Sequence, residues 1–225
     1  MTDDASGRLT TGVPGLDAAL EGGVPTGSLV VLTAAPRAQS EPLLAAMAGA
    51  NRARYLSTLR PELEVRDALA AAGAGDVAVE AVDGDDVLAD PAAHLSGLES
   101  GSVVVVDPTT ELEQGDRERY REFLDACKRA LRMTDSVAVL HCHENTPAVL
   151  RRDMTLARAD LVWDVRTAVS GGNLDTRLAV TKFRGGVPSG VHGLSFADGV
   201  ALVDDLRGDD AGAAGGAREC GEGSD

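Results

Sequence analysis

Apolar residues along this chain recur in two alternating rhythms. Short runs rich in β-branched residues, at Ser28 to Thr33, Arg54 to Thr58, Val77 to Val82, Ser102 to Val106 and Ser136 to His141, read as strands. Between them, apolar residues fall at helical spacing. Leu43, Leu44 and Met47 follow the first strand. Val65, Ala68, Leu69 and Ala72 align within Pro61 to Ala72, where Gly73 supplies the stop, and Tyr120, Phe123, Leu124, Cys127 and Leu131 precede the fifth strand. Thr146 and Pro147 read as the N-cap and first residue of a helix reaching about Arg158.

Strands alternating with helices predict an α/β fold, with a mostly parallel sheet covered on both faces and the continuous Val103 to Val106 run at its centre. After Arg158 the rhythm changes. Leu161 to Ala168 and Leu174 to Lys182, separated by Gly171 to Asn173, predict an antiparallel hairpin on the sheet's edge, and Val200 to Val203 a last short strand. From about Leu206 to Asp225 the chain is rich in Gly, Ala, Asp and Glu. Such a segment buries too little apolar surface to offset its ordering entropy, so residues 1–205 are expected to form one domain and 206–225 a disordered acidic tail.

Composition sharpens this picture. A net charge of −15, with two lysines, Lys128 and Lys182, among 21 basic residues, resembles the proteins of salt-loving archaea. There, carboxylates keep the surface hydrated while molar salt shortens the screening length to about 3 Å. The same charge disfavours nucleic acid as a partner, since bulk DNA binding depends on Lys and Arg displacing counterions. No apolar run approaches the ~20 residues of a membrane span and the N-terminus carries no apolar signal segment, so a cytoplasmic protein is expected. Three cysteines without a CxxC pair indicate neither a disulfide framework nor a zinc ribbon.

The most specific stretch is Arg8 to Thr33. It holds Thr11-Gly12-Val13-Pro14-Gly15-Leu16-Asp17, then Gly22-Gly23-Val24-Pro25 and Gly27 before the first core strand. This resembles the lead-in of the archaeal RecA/RadA/KaiC-like ATPases of the P-loop superfamily, and weaker similarity extends to about Asp205. The resemblance implies a RecA-like sheet and, after the first strand, a phosphate-binding loop GxxxxGK[ST], in which backbone N–H groups cradle phosphates, lysine reaches them and the hydroxyl binds magnesium.

Here that loop reads AAPRAQSE: Ala34 and Gln39 replace the glycines, Ser40 the lysine and Glu41 the Ser/Thr, with Pro36 and Arg37 between them. A carboxylate about 4 Å from a phosphate repels it by about 4 kcal/mol at an effective dielectric of 20, nearly a thousandfold in affinity. The same residues make a coherent helix start, with Ser40 as N-cap, Pro42 in the first turn and Glu41 at the positive end of the helix dipole. Glu41 is thus expected to fill the charge niche of a nucleotide phosphate, with no neighbouring cation.

Other positions carry the same resemblance. Asp107, ending the Val103 to Val106 run, matches the Walker B aspartate. Thr58-Leu59-Arg60 stands where KaiC-like relatives place the acidic residues that polarise water, so the general base is absent. His141 and His143 alternate onto one face of a strand end that faces the nucleotide in the family, implying a vestigial sensor. With Asp107 they compose a two-histidine, one-carboxylate set, but sequence does not bring the three together and no metal is expected. Lys182 and Arg184 match a K-x-R-G segment that reaches a neighbouring subunit's site in KaiC-like rings. They either complete a partner's site in trans or pair with nearby carboxylates.

The expectation is therefore a pseudo-ATPase, a non-hydrolysing protein without cofactor. It would act as a regulatory or structural partner of a RecA/KaiC-class ATPase, or of itself, in signalling or recombination. ATP and magnesium are not favoured. The alternatives are a weakly active ATPase in which Arg37 replaces the missing lysine, and a DNA-associated regulator, for which no basic patch is evident.

Overall fold

The computed structural model describes residues 7–144, 149–170, 172–197 and 199–203. Strand β1 (Arg8–Leu9) pairs antiparallel with β2 (Val24–Pro25), and helix α1 (Pro14–Ala19) lies between them in sequence. The main sheet begins with β3 (Leu29–Ala34), followed by α2 (Glu41–Gly49), β4 (Ala53–Ser57), α3 (Glu62–Ala71) and β5 (Ala78–Ala81). Next come α4 (Gly84–Ala89), α5 (Pro91–Leu95), β6 (Val103–Asp107), α6 (Thr110–Glu113), α7 (Arg117–Thr134) and β7 (Val137–His143). The chain continues through α8 (Arg152–Arg158), β8 (Leu161–Ser170), β9 (Asn173–Phe183), β10 (Gly190–Ser195) and β11 (Ala201–Val203).

Across the sheet the strands run β11-β10-β9-β8-β3-β7-β6-β4-β5. Pairing is parallel from β8 through β5 and antiparallel from β8 to β11. Neighbours β3, β7 and β6 read as continuous apolar runs because both their faces are covered. On one face Val30, Leu32, Val103, Val105, Val137, Val139 and Trp163 pack with α1 and α2; on the other, Val31, Val104, Val106 and Leu140 pack with α7 through Tyr120, Phe123, Leu124, Cys127 and Leu131. Among the described residues no helix is long and apolar enough to cross a membrane.

The motif-bearing lead-in is structural. Asp17 accepts hydrogen bonds from the Thr11 amide and hydroxyl, both at 2.7 Å, and from the Thr10 hydroxyl. Gly12, at φ +74°, passes so close to α2 that a Cβ there would sit 2.2 Å from the Ala46 carbonyl oxygen. The TG–PGLD sequence thus docks the N-terminal segment onto the helix that follows the loop.

Two expectations are corrected. The β8–β9 hairpin is internal, because β8 pairs with β3 and the sheet continues into β10 and β11. Strand β10 (GVHGLS) lacks a clear strand signature because its two glycines dilute the β-branched pattern. The helix before β8 begins at Arg152, while Thr146 and Pro147 lie outside the described residues, as do Gly171 and the tail 206–225. The hairpin register closes at Ser170 opposite Asn173, with Gly172 at φ +84°.

Candidate functional site

In parallel α/β sheets ligands bind beyond the carboxyl ends of the strands. Here the ends of β3, β7, β6 and β4 bring polar side chains together through simple alternation. Tyr55, Asp107, His141 and His143 stand on the α2 face because each lies an even number of residues from a buried residue of that face, such as Val105 or Val139. The register places Ser57 opposite Asp107, Leu32 opposite His141 and Ala34 opposite His143.

The result is a closed hydrogen-bonded chain. Ser40 Oγ lies 3.0 Å from His141 Nε2, and His141 Nδ1 lies 2.6 Å from Asp107 Oδ1. Asp107 Oδ2 accepts from the Tyr55 hydroxyl and, at 3.0 Å, from Arg60 Nη2. Ser40, Asp107 and His141 are no more than 3% exposed. Burial pushes the Asp107 carboxyl up, but the hydrogen bond and charge of His141, with Tyr55 and Arg60 behind them, more than offset it and hold the group well below the usual carboxylate range. Burial, reinforced by the Asp107 charge, raises the Tyr55 phenol well above its ordinary value, so it remains a neutral donor.

Ser40 occupies the N-cap position of α2, but its hydroxyl makes no capping bond and is spent on His141 instead. The absence of a nearby cation is also corrected, since Arg60, from the loop after β4, faces Asp107 and feels the charge of Glu41. Glu41, Gln39, Arg37 and Pro36 are exposed and Ala34 is buried. The Arg37 side chain makes no ion pair or hydrogen bond among the described residues. A cavity of about 260 Å³ adjoins the site, lined in part by Gln39, Glu41, Tyr55 and Arg60. A larger one, of about 470 Å³, lies at the opposite ends of β4 and β5, away from these groups.

A second buried polar cluster supports the end of β7. Glu113, with 0% exposure, accepts from Arg152 through Nε at 2.9 Å and Nη2 at 2.7 Å, and from the Thr155 hydroxyl. Arg152 also donates to the His143 carbonyl at 2.9 Å, and the His143 amide donates to Thr110 Oγ1 at 3.1 Å. Beside it, Cys142 is buried and its thiol is raised well above the usual range by burial and the Glu113 charge. Burial alone pushes Cys127 up to about 12, so neither is a ready nucleophile.

Lys182 and Arg184 lie apart from this site. Lys182 Nζ donates to the Leu156 carbonyl at 2.7 Å and Arg184 Nη2 to the Ala157 carbonyl at 2.8 Å, satisfying the last turn of α8. Neither pairs with a carboxylate among the described residues. Lys128 is likewise held, by Asp160 and the Gly27 carbonyl.

Sequence reading missed Tyr55 and Glu113 as site residues and Arg60 as a positive one. An aromatic hydroxyl in the strand beside the Val103–Asp107 run, two residues before the strand's end, was the available signal for Tyr55. Glu113 sits within an acidic helix that gives no sign of burial.

The strand order and the polar groups at the strands' carboxyl ends define an α/β protein built on a mostly parallel sheet. The fold is similar to that of a KaiC-like protein from the hyperthermophilic archaeon Pyrococcus horikoshii, with a TM-score of 0.71 at 16% identity over 88% of this chain and 99% of that one. The chain belongs to a family of unknown function, DUF7125, whose sequence profile matches residues 8–207. No curated protein matches.

The residues do not fit the magnesium triphosphate that the sequence resemblance implies. The position of the phosphate-binding lysine holds Ser40, turned inward onto His141. A carboxylate, Glu41, opens α2, and Asp107 is committed to protein donors through both oxygens.

Proposed function

We propose that this protein is a non-hydrolysing member of the KaiC-like fold class that works as a regulatory or structural partner rather than as an ATPase. The observation that carries this reading is the closed chain Ser40–His141–Asp107 with Tyr55 and Arg60, which satisfies internally the polar groups a nucleotide and its metal would engage. A nucleotide entering there with its metal would have to break these bonds and face Glu41. Both costs oppose binding.

The partner is an ATPase of the same fold class or a second copy of this chain. Lys182 and Arg184 contribute to it only if they leave the α8 carbonyls they now satisfy, so the trans role for them draws no support from their geometry. The acidic surface fits a cytoplasm of high salt, where self-repulsion is screened. Calorimetric titration with ATP and magnesium in molar KCl is the test. No heat of binding in the micromolar range is expected, and micromolar binding with phosphate release would establish the weakly active ATPase instead.

A further inference from the structure

The same strand ends contain an arrangement that a triphosphate site does not need. One ligand atom from each of Asp107, His141 and His143 lies within 4.8 Å of the others, and this is the one such group of three among the described residues. We propose that these three side chains form a site for a borderline first-row divalent ion such as zinc, a function that goes beyond the partner role above and does not depend on it.

The donor set decides the class of ion. Magnesium takes oxygen ligands in a near-octahedral shell and keeps several waters, whereas imidazoles suit zinc, iron, nickel and copper. Two imidazoles and one carboxylate leave coordination positions open, as catalytic rather than purely structural zinc sites do.

The surroundings match what such ligands need. Metal-bound histidines donate their other ring N–H to a fixed acceptor, and ligating carboxylates are themselves hydrogen-bonded. Here Ser40 Oγ lies 3.0 Å from His141 Nε2, while Asp107 Oδ2 is held by Tyr55 and Arg60. That leaves His141 Nδ1 and Asp107 Oδ1 facing one another at 2.6 Å. Two ligands on one zinc stand about 3.4 Å apart, given bond lengths near 2.1 Å. An ion would therefore take the place of the proton these two atoms share, parting them by less than about 1 Å.

His143 closes the group from the solvent side. Its ring packs edge-on against that of His141, with centroids 4.8 Å apart, and its peptide groups are pinned by Thr110 and Arg152. It is partly exposed, which gives the ion a way in without unfolding.

The test uses the full chain, stripped with chelator and titrated with zinc against a chromophoric competitor and, separately, with cobalt. One ion per chain is expected, with visible cobalt bands of nitrogen and oxygen ligation and no thiolate charge-transfer band, unmoved by excess magnesium. His143→Ala, judged folded by circular dichroism, should weaken zinc by at least about a hundredfold and Ser40→Ala by about tenfold. His94→Ala and His192→Ala, which alter the other two histidines, should change nothing. Absence of binding, equal affinity in wild type and His143→Ala, or a thiolate band would each overturn the proposal. The ATP titration above is read independently of all of these.

Discussion

Arg60 Nη2 lies 3.0 Å from Asp107 Oδ2, so the loop after β4 supplies a cation to the residue that ends β6. Because Asp107 is buried and Arg60 only partly exposed, the pair is shielded more than a surface salt bridge. Arg60→Ala should lower unfolding free energy by about 1.5–3 kcal/mol, the range of a hydrogen bond to a charged group. Urea denaturation with an unchanged m-value would measure it.

Acid should weaken the fold through Asp107. Its folded pKa lies below the unfolded value of about 3.9, so the stability it contributes is fully present above that value and is lost as pH falls toward the folded one. Asp107→Asn should be less stable than wild type at neutral pH, and the gap should narrow as the solution is brought below about pH 4. A gap that stays constant to pH 2 would show that the carboxylate adds nothing through its charge.

Glu113→Gln leaves Arg152 buried beside a neutral amide. A loss of about 3–5 kcal/mol is expected, as for other buried pairs broken on one side. The double variant Glu113→Gln with Arg152→Met should recover part of it, because no charge is then stranded. Chemical denaturation of the three proteins decides.

Two glycines with similar backbone angles should respond differently to alanine. At Gly12 (φ +74°) the new methyl would meet the Ala46 carbonyl, whereas at Gly73 (φ +80°) nothing lies within 4 Å. Gly73→Ala should cost about 1–2 kcal/mol, the backbone term alone. Gly12→Ala should cost more, on the order of 3 kcal/mol. Thermal melts suffice to rank them.

Glu41→Gln removes an exposed charge at the start of α2. Its interaction with the helix dipole is worth about 0.3–1 kcal/mol, and a fall in stability of that size is expected at low salt, shrinking in molar KCl. ATP binding should not appear in this variant, because Ser40 still faces His141.

How much of this was legible beforehand follows from how each residue acts. The parallel core could be read because β3, β6 and β7 are buried on both faces and therefore apolar along all but their carboxyl ends. The departure of residues 34–41 from the GxxxxGK[ST] pattern could be read because Ala34, Gln39, Ser40 and Glu41 fall at fixed spacing after a strand. Which side chains would meet could not. Ser40 looked like a helix cap, and only the three-dimensional approach of β7 to α2 shows that its hydroxyl serves His141. Arg60 was noted as a missing acid, yet its positive role depends on the turn after β4 folding back over Asp107. Strand β10 escaped notice because glycine carries no packing signal.

The amines of Lys128 and Lys182 are both tied to acceptors within their own chain. Every remaining positive side chain is a guanidinium or an imidazole, so acylating reagents and lysine-directed tagging enzymes would find very few free nucleophilic nitrogens on this molecule. Its cationic groups are thus largely exempt from the commonest covalent means by which proteins have their charge rewritten.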